Sequence, residues 1–256
     1  MKNHYNRFIT VLCVILIFSL VGCQSKKGIS SENGTSNNTE FLTDHEWVHY
    51  TICNETISFH DDGSFSFYCA CGSPVGNYDL FDSYKYDEET SEITLLPEDD
   101  DNIIKILRYE KSRLLLKCND GIKEFFDNTD PLVSNSYTDD AYDTENYTLG
   151  FSSYIAIVNK NGNSLTSAPS CYDADAPEYK DYLLEEKLAD NITYGEWDMQ
   201  VTQTEEGEEI KHNYKELSDE QVNKMLEGGP SSGYVWYNNN AEIEKIVFFG
   251  KTIIQQ

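Results

Sequence analysis

His45-Glu46-Trp47-Val48-His49 sets two imidazoles four residues apart with a carboxylate beside the first. On a helix that spacing brings both rings to one face, where they could share one metal ion while Glu46 activates a bound water. Whether a helix is there to do so depends on the neighbours. Val48, Tyr50, Thr51 and Ile52 are β-branched or aromatic types that favour strand. On a strand His45, Trp47 and His49 still share a face, and His60 sits on a neighbouring strand. The main expectation is therefore three polar histidines around the mouth or outer face of a sheet. A surface metal site at His45, His49 and His60 is the lesser one. Neither expectation requires a cofactor.

Cysteine is the second reactive type. Cys13 lies in an apolar run and Cys23 closes it, leaving Cys53, Cys69, Cys71, Cys118 and Cys171 in the rest of the chain. Five is odd, so at least one is unpaired or paired elsewhere. Cys69-x-Cys71 with Cys118 could supply three thiolates to zinc, but the usual C-x2-C spacing is missing, and disulfides or inert thiols are the expectation.

The stretch that ends at Cys23 says where those thiols reside. Lys2 and Arg7 give a basic start, and Phe8 to Gly22 are fifteen residues without a charge. A membrane-crossing helix needs roughly 20 apolar residues, so the run reads as the apolar region of a cleaved signal peptide over residues 1–22. Leu20-Val21-Gly22-Cys23 resembles the lipobox of bacterial lipoproteins. The resemblance implies that lipid, palmitate included, is attached to the Cys23 thiol, that the chain is cut before it, and that the mature protein sits on the extracytoplasmic face of the cell membrane. Residues 23–40 then read as a flexible tether. Ile29 is the one aliphatic residue among 24–40, and as a coil those residues span on the order of 23 Å.

The whole chain carries a formal charge of −26. Without residues 1–22 there remain 17 basic against 45 acidic residues, a charge of −28. Neutralising a phosphate backbone takes clustered Lys and Arg, so nucleic acid is excluded as a partner. Asp139, Asp140 and Asp143, and later Asp173 and Asp175, lack the spacing and closing Glu of a calcium loop and read as solvated acids.

From 41 to 127 the chain is a succession of short β-type runs broken by turn residues. Ile57 and Phe59 share a face on one run. After Asp62-Gly63, the strongest hairpin signal, Phe65 and Phe67 do so on the next. Further runs fall at 76–86, 93–96, 103–109, 113–118 and 122–126. Seven or eight short antiparallel strands could close into a small β-barrel or fold as a sandwich, and the barrel is the expectation. Leu42 and Trp47, then Ile57-Ser58-Phe59-x-x-Asp62-Gly63-Ser64-Phe65, then Val75-Gly76-Asn77-Tyr78, resemble the lipocalin-like domains of bacterial lipoproteins. That likeness implies a barrel meander, although His45 stands where the family's opening Gly would be.

Turn-rich, acidic residues 128–150 read as a connector, and 151–256 as an α+β domain. Its expected order is strand (153–158), helix (175–188, led by Pro177), hairpin (194–203 with 209–214), helix and closing hairpin (234–237 with 243–249). The second helix carries the clearest signals: Ser218 as N-cap, Gln221 three residues on, Leu217 and Val222 as a staple, and Gly228 at its end. The chain as a whole is thus expected to be mainly β, a lipocalin-like barrel followed by an α+β domain. The expected function is a non-enzymatic binding module for a small ligand or a protein partner, held to the membrane through Cys23. The alternative is a zinc-dependent metallopeptidase using residues 45–49.

Overall fold

The computed structural model describes residues 39–43, 45–50, 54–69, 78–97, 103–130, 132, 150–170, 177–204 and 207–255. The signal stretch, Cys23, the tether, Cys53, Cys71, Cys171 and most of the 128–150 connector lie outside them. The described chain is mainly β, built on two sheets that are closed or nearly so.

The first sheet holds eight strands: β1 (Glu46–His49), β2 (Glu55–Phe59), β3 (Phe65–Cys69), β4 (Ser83–Asp87), β5 (Glu92–Leu96), β6 (Ile103–Glu110), β7 (Arg113–Cys118) and β8 (Gly121–Asp127). Apart from β3 and β4, which end the order, each pairs antiparallel with its sequence neighbour, and β1 pairs with β8 through Trp47 opposite Asp127. The β3–β4 seam is thin, held by a bridge at Ser64–Ser83 and by backbone bonds from Phe65 to Asp82 and from Tyr84 to Gly63. Asp62-Gly63 turns the β2–β3 hairpin as its sequence predicts. Gly63 takes a φ of +82°, a region that side-chain-bearing residues rarely enter. The 76–86 run is less regular than expected, with a 3-10 turn over Tyr78–Leu80 before β4 begins.

Alternate residues of each strand fill the barrel. Trp47, Phe59, Ile93, Leu95, Leu114 and Leu116 are fully buried there, and Trp47 donates its indole N–H to the Leu42 carbonyl at 3.2 Å. An eight-stranded barrel has room for about its own side chains. Strands β7 and β8 are buried on both faces. Leu115 and Phe126 point outward and pack with Val48 into the core of the second sheet. The continuous apolar runs Leu114-Leu115-Leu116 and Phe125-Phe126 answer to that double burial, since a half-exposed strand would alternate.

The second sheet holds β9 (Ser153–Asn161), β10 (Ser164–Pro169), β11 (Leu184–Thr204), β12 (Gly207–Leu217), β13 (Ser231–Tyr237) and β14 (Ile243–Gln255). Its order is β10-β9-β13-β14-β11-β12, and β10 also pairs with the start of β11, so five strands close a ring and β12 extends it. β11 runs parallel to β14 and antiparallel to β12. Helix α1 (Asp219–Leu226) follows β12, and its capping box is formed on both sides, Ser218 with Gln221. Val222 is its fully buried anchor in the core.

One expected helix is overturned. Residues 177–182 form a 3-10 turn, and Leu184 opens a strand of 21 residues. Leu184, Glu186 and Leu188 are the inward, buried positions of that strand. A buried Glu in the middle hides the two-residue period, and the Leu spacing then mimics a helical face. Strand β10 was not expected from the sequence either. The sheets on the two sides of the 128–150 connector share an apolar cluster, in which Val48, Leu115 and Phe126 meet Ile155, Val235 and Phe248.

Candidate functional site

Residues 46–49 are strand, with Glu46 exposed and Trp47, Val48 and His49 buried. Side chains on a strand alternate in direction, and a strand rise of about 3.3 Å per residue puts positions 45 and 49 about 13 Å apart along it with Glu46 on the other face. Each histidine has its own partner. His45 Nδ1 meets Asp127 Oδ2 at 2.8 Å, His49 Nδ1 donates to the Glu124 carbonyl at 2.9 Å, and the His60 ring lies 3.5 Å from the Ser66 hydroxyl. The three expected metal candidates are not brought together. Among the described residues no group of three or more His, Cys, Asp or Glu side chains converges as a metal ion would require.

His49 instead belongs to a polar cluster at one end of the first barrel. Lys123 donates to Glu55 at 2.7 Å and to Asp120 at 2.5 Å, and the Tyr78 hydroxyl donates to Asp120 at 3.3 Å. Burial pushes the Cys118 thiol up to about 12. Burial and the neighbouring Lys123 ammonium bring His49 down to about 4. Cys118 and His49 are thus both neutral at ordinary pH, a thiol and an imidazole that do not form a thiolate–imidazolium pair. The Lys123 ammonium is paired with two carboxylates. These contacts tie β1 and β2 to the β7–β8 turn and to β8.

A second buried network joins the two sheets. Arg113 donates from Nε and Nη2 to the two carboxylate oxygens of Glu124 and from Nη2 to Glu186, each at 2.9 Å. Arg108 bridges the same acids at 2.8 Å. The hydroxyls of Tyr237 and Ser167 donate to Glu186, and Ser153 donates to Glu124 at 2.5 Å. Burial alone would raise the Glu186 carboxyl, but Arg113 and Arg108 hold it at about 2. Two guanidiniums against two carboxylates leave the network neutral, and these donors fix the register of the sheets. Reading for motifs misses these residues. Their one sequence signal is charge at inward strand positions, as at Glu186.

Two open grooves lie around the first turn of α1. A groove of about 340 Å3 lies between the start of the β11–β12 pairing and the helix. A second, of about 420 Å3, runs along β9 past Lys160 and Asn223. Asp219 borders both, and the Lys160 ammonium meets its carboxylate at 2.7 Å, holding it below the usual carboxylate range. Comparison with protein-family models, curated proteins and solved structures finds no match to this chain.

Proposed function

We propose that the chain is an extracytoplasmic lipoprotein, anchored through lipid on Cys23, whose two β units act as a non-enzymatic binding module for a small ligand or a protein partner. The observation that carries the reading is the order basic start, apolar run, Leu20-Val21-Gly22-Cys23 and polar tether, placed ahead of a compact β-rich body. Support for binding at the surface comes from the apolar side chains that pack inside the first barrel and from the open grooves at α1. The metallopeptidase alternative draws no support from residues 45–49, because strand spacing separates the two imidazoles that one zinc ion would need.

The test is labelling of the full chain with a palmitate analogue in a bacterial host, with Cys23→Ala beside it. The wild type should be labelled and shortened, and the variant should be an unlabelled, unshortened precursor. A chain beginning at residue 24 should leave the membrane fraction, since a body this acidic is repelled by anionic lipid. Retention of that shortened chain in the membrane would overturn the anchoring.

A further inference from the structure

The outer face of the second sheet is aromatic and buried. Along β9, β13 and β14 the side chains of Ile155, Val235, Ile246 and Phe248 turn inward to the shared core, and their alternates face the other way. On that outer side Tyr154 stands opposite Tyr234, Tyr234 opposite Val247, and Phe249 opposite Trp197 of β11. These residues form a cluster of their own with Phe151 and Trp236. Tyr234 is 1% exposed, Val247 0% and Trp197 9%. Side chains on one face of a sheet shield one another sideways, so burial this complete calls for a further layer over them. Apart from Phe151, every described member of the cluster lies on these four strands. Tyr154, Tyr234 and Trp236 each take part in a further interaction beyond those within the cluster.

The length of the chain points to what supplies that layer. Asp130 accepts a hydrogen bond from the Ser112 hydroxyl at 3.0 Å, and the Asp127 N–H donates to the Ser112 carbonyl, so the chain leaves the first sheet at the end of β8. It returns at Ser152, whose carbonyl accepts from the Glu124 N–H at 2.8 Å. Positions 127 and 124 lie about 10 Å apart along a strand, a gap that a connection of about four to six residues covers. Seventeen residues, 133–149, stand between Leu132 and Gly150. They end at the aromatic face: Phe151 follows Gly150, is 8% exposed and lies 4.6 Å from Tyr234 between ring centroids. They carry Tyr137, Tyr142 and Tyr147 at five-residue intervals and four acids without a lysine or arginine. The face offers them a cation, since the Lys245 ammonium lies 4.5 Å from the Trp236 centroid.

We propose that residues 133–149 dock across the outer face of the second sheet as its covering layer, with their tyrosines on the aromatic cluster and their acids beside Lys245. Other stretches fit this place less well. Residues 51–53, 70–77 and 98–102 connect strands of the first sheet, and the tether joins the fold there too, next to the Thr43–Phe59 bridge. Residues 171–176, at about 3.3 Å each, are too few to cross four strands and return. The inference goes beyond the binding reading above and does not depend on the anchor: it takes the aromatic face out of the surface open to a ligand.

The experiment is acrylamide quenching of tryptophan fluorescence in the purified full chain. One variant replaces residues 135–147 with a short Gly-Ser spacer, and a second combines Tyr137→Ser, Tyr142→Ser and Tyr147→Ser. Trp197 and Trp236 lie on the face and Trp47 lies inside the first barrel, so uncovering the face should raise the quenching constant about twofold in both variants. In the wild type a carbodiimide should join the Lys245 amine to Asp139, Asp140, Asp143 or Glu145, as read by mass spectrometry of the digested product. Unchanged quenching in both variants, with circular dichroism like that of the wild type, would overturn the proposal. So would a wild type whose tryptophans become accessible as a dimer dissociates on dilution, because a second copy would then be the cover. If neither variant folds, the cross-link decides: a link from Lys245 into residues 139–145 supports the docking, and links from Lys245 to other carboxylates alone overturn it.

Discussion

Arg113 on β7 and Glu186 on β11 meet at 2.9 Å across the two sheets, and neither side chain has any exposure to solvent. The same guanidinium holds Glu124 on β8, and Arg108 repeats both contacts from β6. A pair so deeply buried adds little net stability over an apolar pair of the same shape, because desolvating the charges costs about what their attraction returns. It does penalise every docking of the sheets that leaves one charge alone. The arrangement therefore selects one relative placement of β7, β8 and β11.

Breaking the network from one side should expose that penalty. Arg113→Met leaves two carboxylates to Arg108 alone and is expected to cost about 3 to 5 kcal/mol, read as a lower urea midpoint. The sheets should also lose structure in one transition, because they share both this network and an apolar cluster. Two separate transitions in the wild type, or a loss under about 1 kcal/mol in the variant, would show that the sheets fold independently.

Acid should unfold the protein in two overlapping steps. His49 has its folded pKa lowered to about 4 from 6.5, so below pH 6.5 the unfolded state takes a proton that the folded state refuses. Stability is then lost as pH falls from 6.5 towards 4. Glu186 has its folded pKa lowered to about 2 from 4.5, so its contribution is present above 4.5 and is lost as pH falls from there towards 2. His49→Gln should flatten the upper step and leave the lower one. The check is stability against pH by urea titration, and an unchanged upper slope in that variant would exclude His49 as its source.

How far the sequence carried the fold depended on whether burial followed a simple period. Strands β2 and β3 and their Asp62-Gly63 turn alternate cleanly and were legible, as was the Ser218–Gln221 cap of α1. β11 was not, because Glu186 occupies an inward position where the pattern calls for an apolar residue. β10 (Ser164–Pro169) is short, is rich in Ser, Thr and Ala and ends on Pro169, so it carried no strand signature. Arg108 and Arg113 meet Glu124 within the first sheet, but the other partners of the three, Glu186, Ser167, Ser153 and Tyr237, come from the second, a relationship that no local spacing records. Residues 45–49 showed the reverse hazard: a motif-length match whose geometry depends on an element the neighbouring residues do not form.

Gly250 marks the bulge where β14 shifts register against β11 between Trp197 and Met199. A Cβ there would lie 2.8 Å from the Trp197 carbonyl oxygen and 2.3 Å from a carboxylate oxygen of Asp198. The Asp198 side chain could swing away, but the backbone carbonyl has no such freedom. Gly250→Ala should cost about 1 to 3 kcal/mol by thermal or urea unfolding. Gly162→Ala, with open space around its Cβ position, should differ in kind, its cost arising from a φ of +58° and not from a clash.

The Glu46 and Trp47 positions separate a structural from a catalytic reading of the first strand. Glu46 is exposed and accepts a hydrogen bond from the Asn128 amide at 2.7 Å, so Glu46→Gln keeps its shape and should shift stability by no more than about 0.5 kcal/mol. Trp47 is fully buried, packs edge-on to Tyr109 at 6.0 Å between centroids and donates to Leu42. Trp47→Ala should leave a large cavity and cost about 3 to 5 kcal/mol. A zinc-dependent enzyme would respond differently: Glu46→Gln would abolish proteolysis while leaving the metal bound. Measured together on the purified full chain, urea midpoints, zinc content and peptidase activity decide the matter. Stoichiometric zinc with activity lost in Glu46→Gln would overturn the structural reading, whereas a large stability loss confined to Trp47→Ala is the expected result.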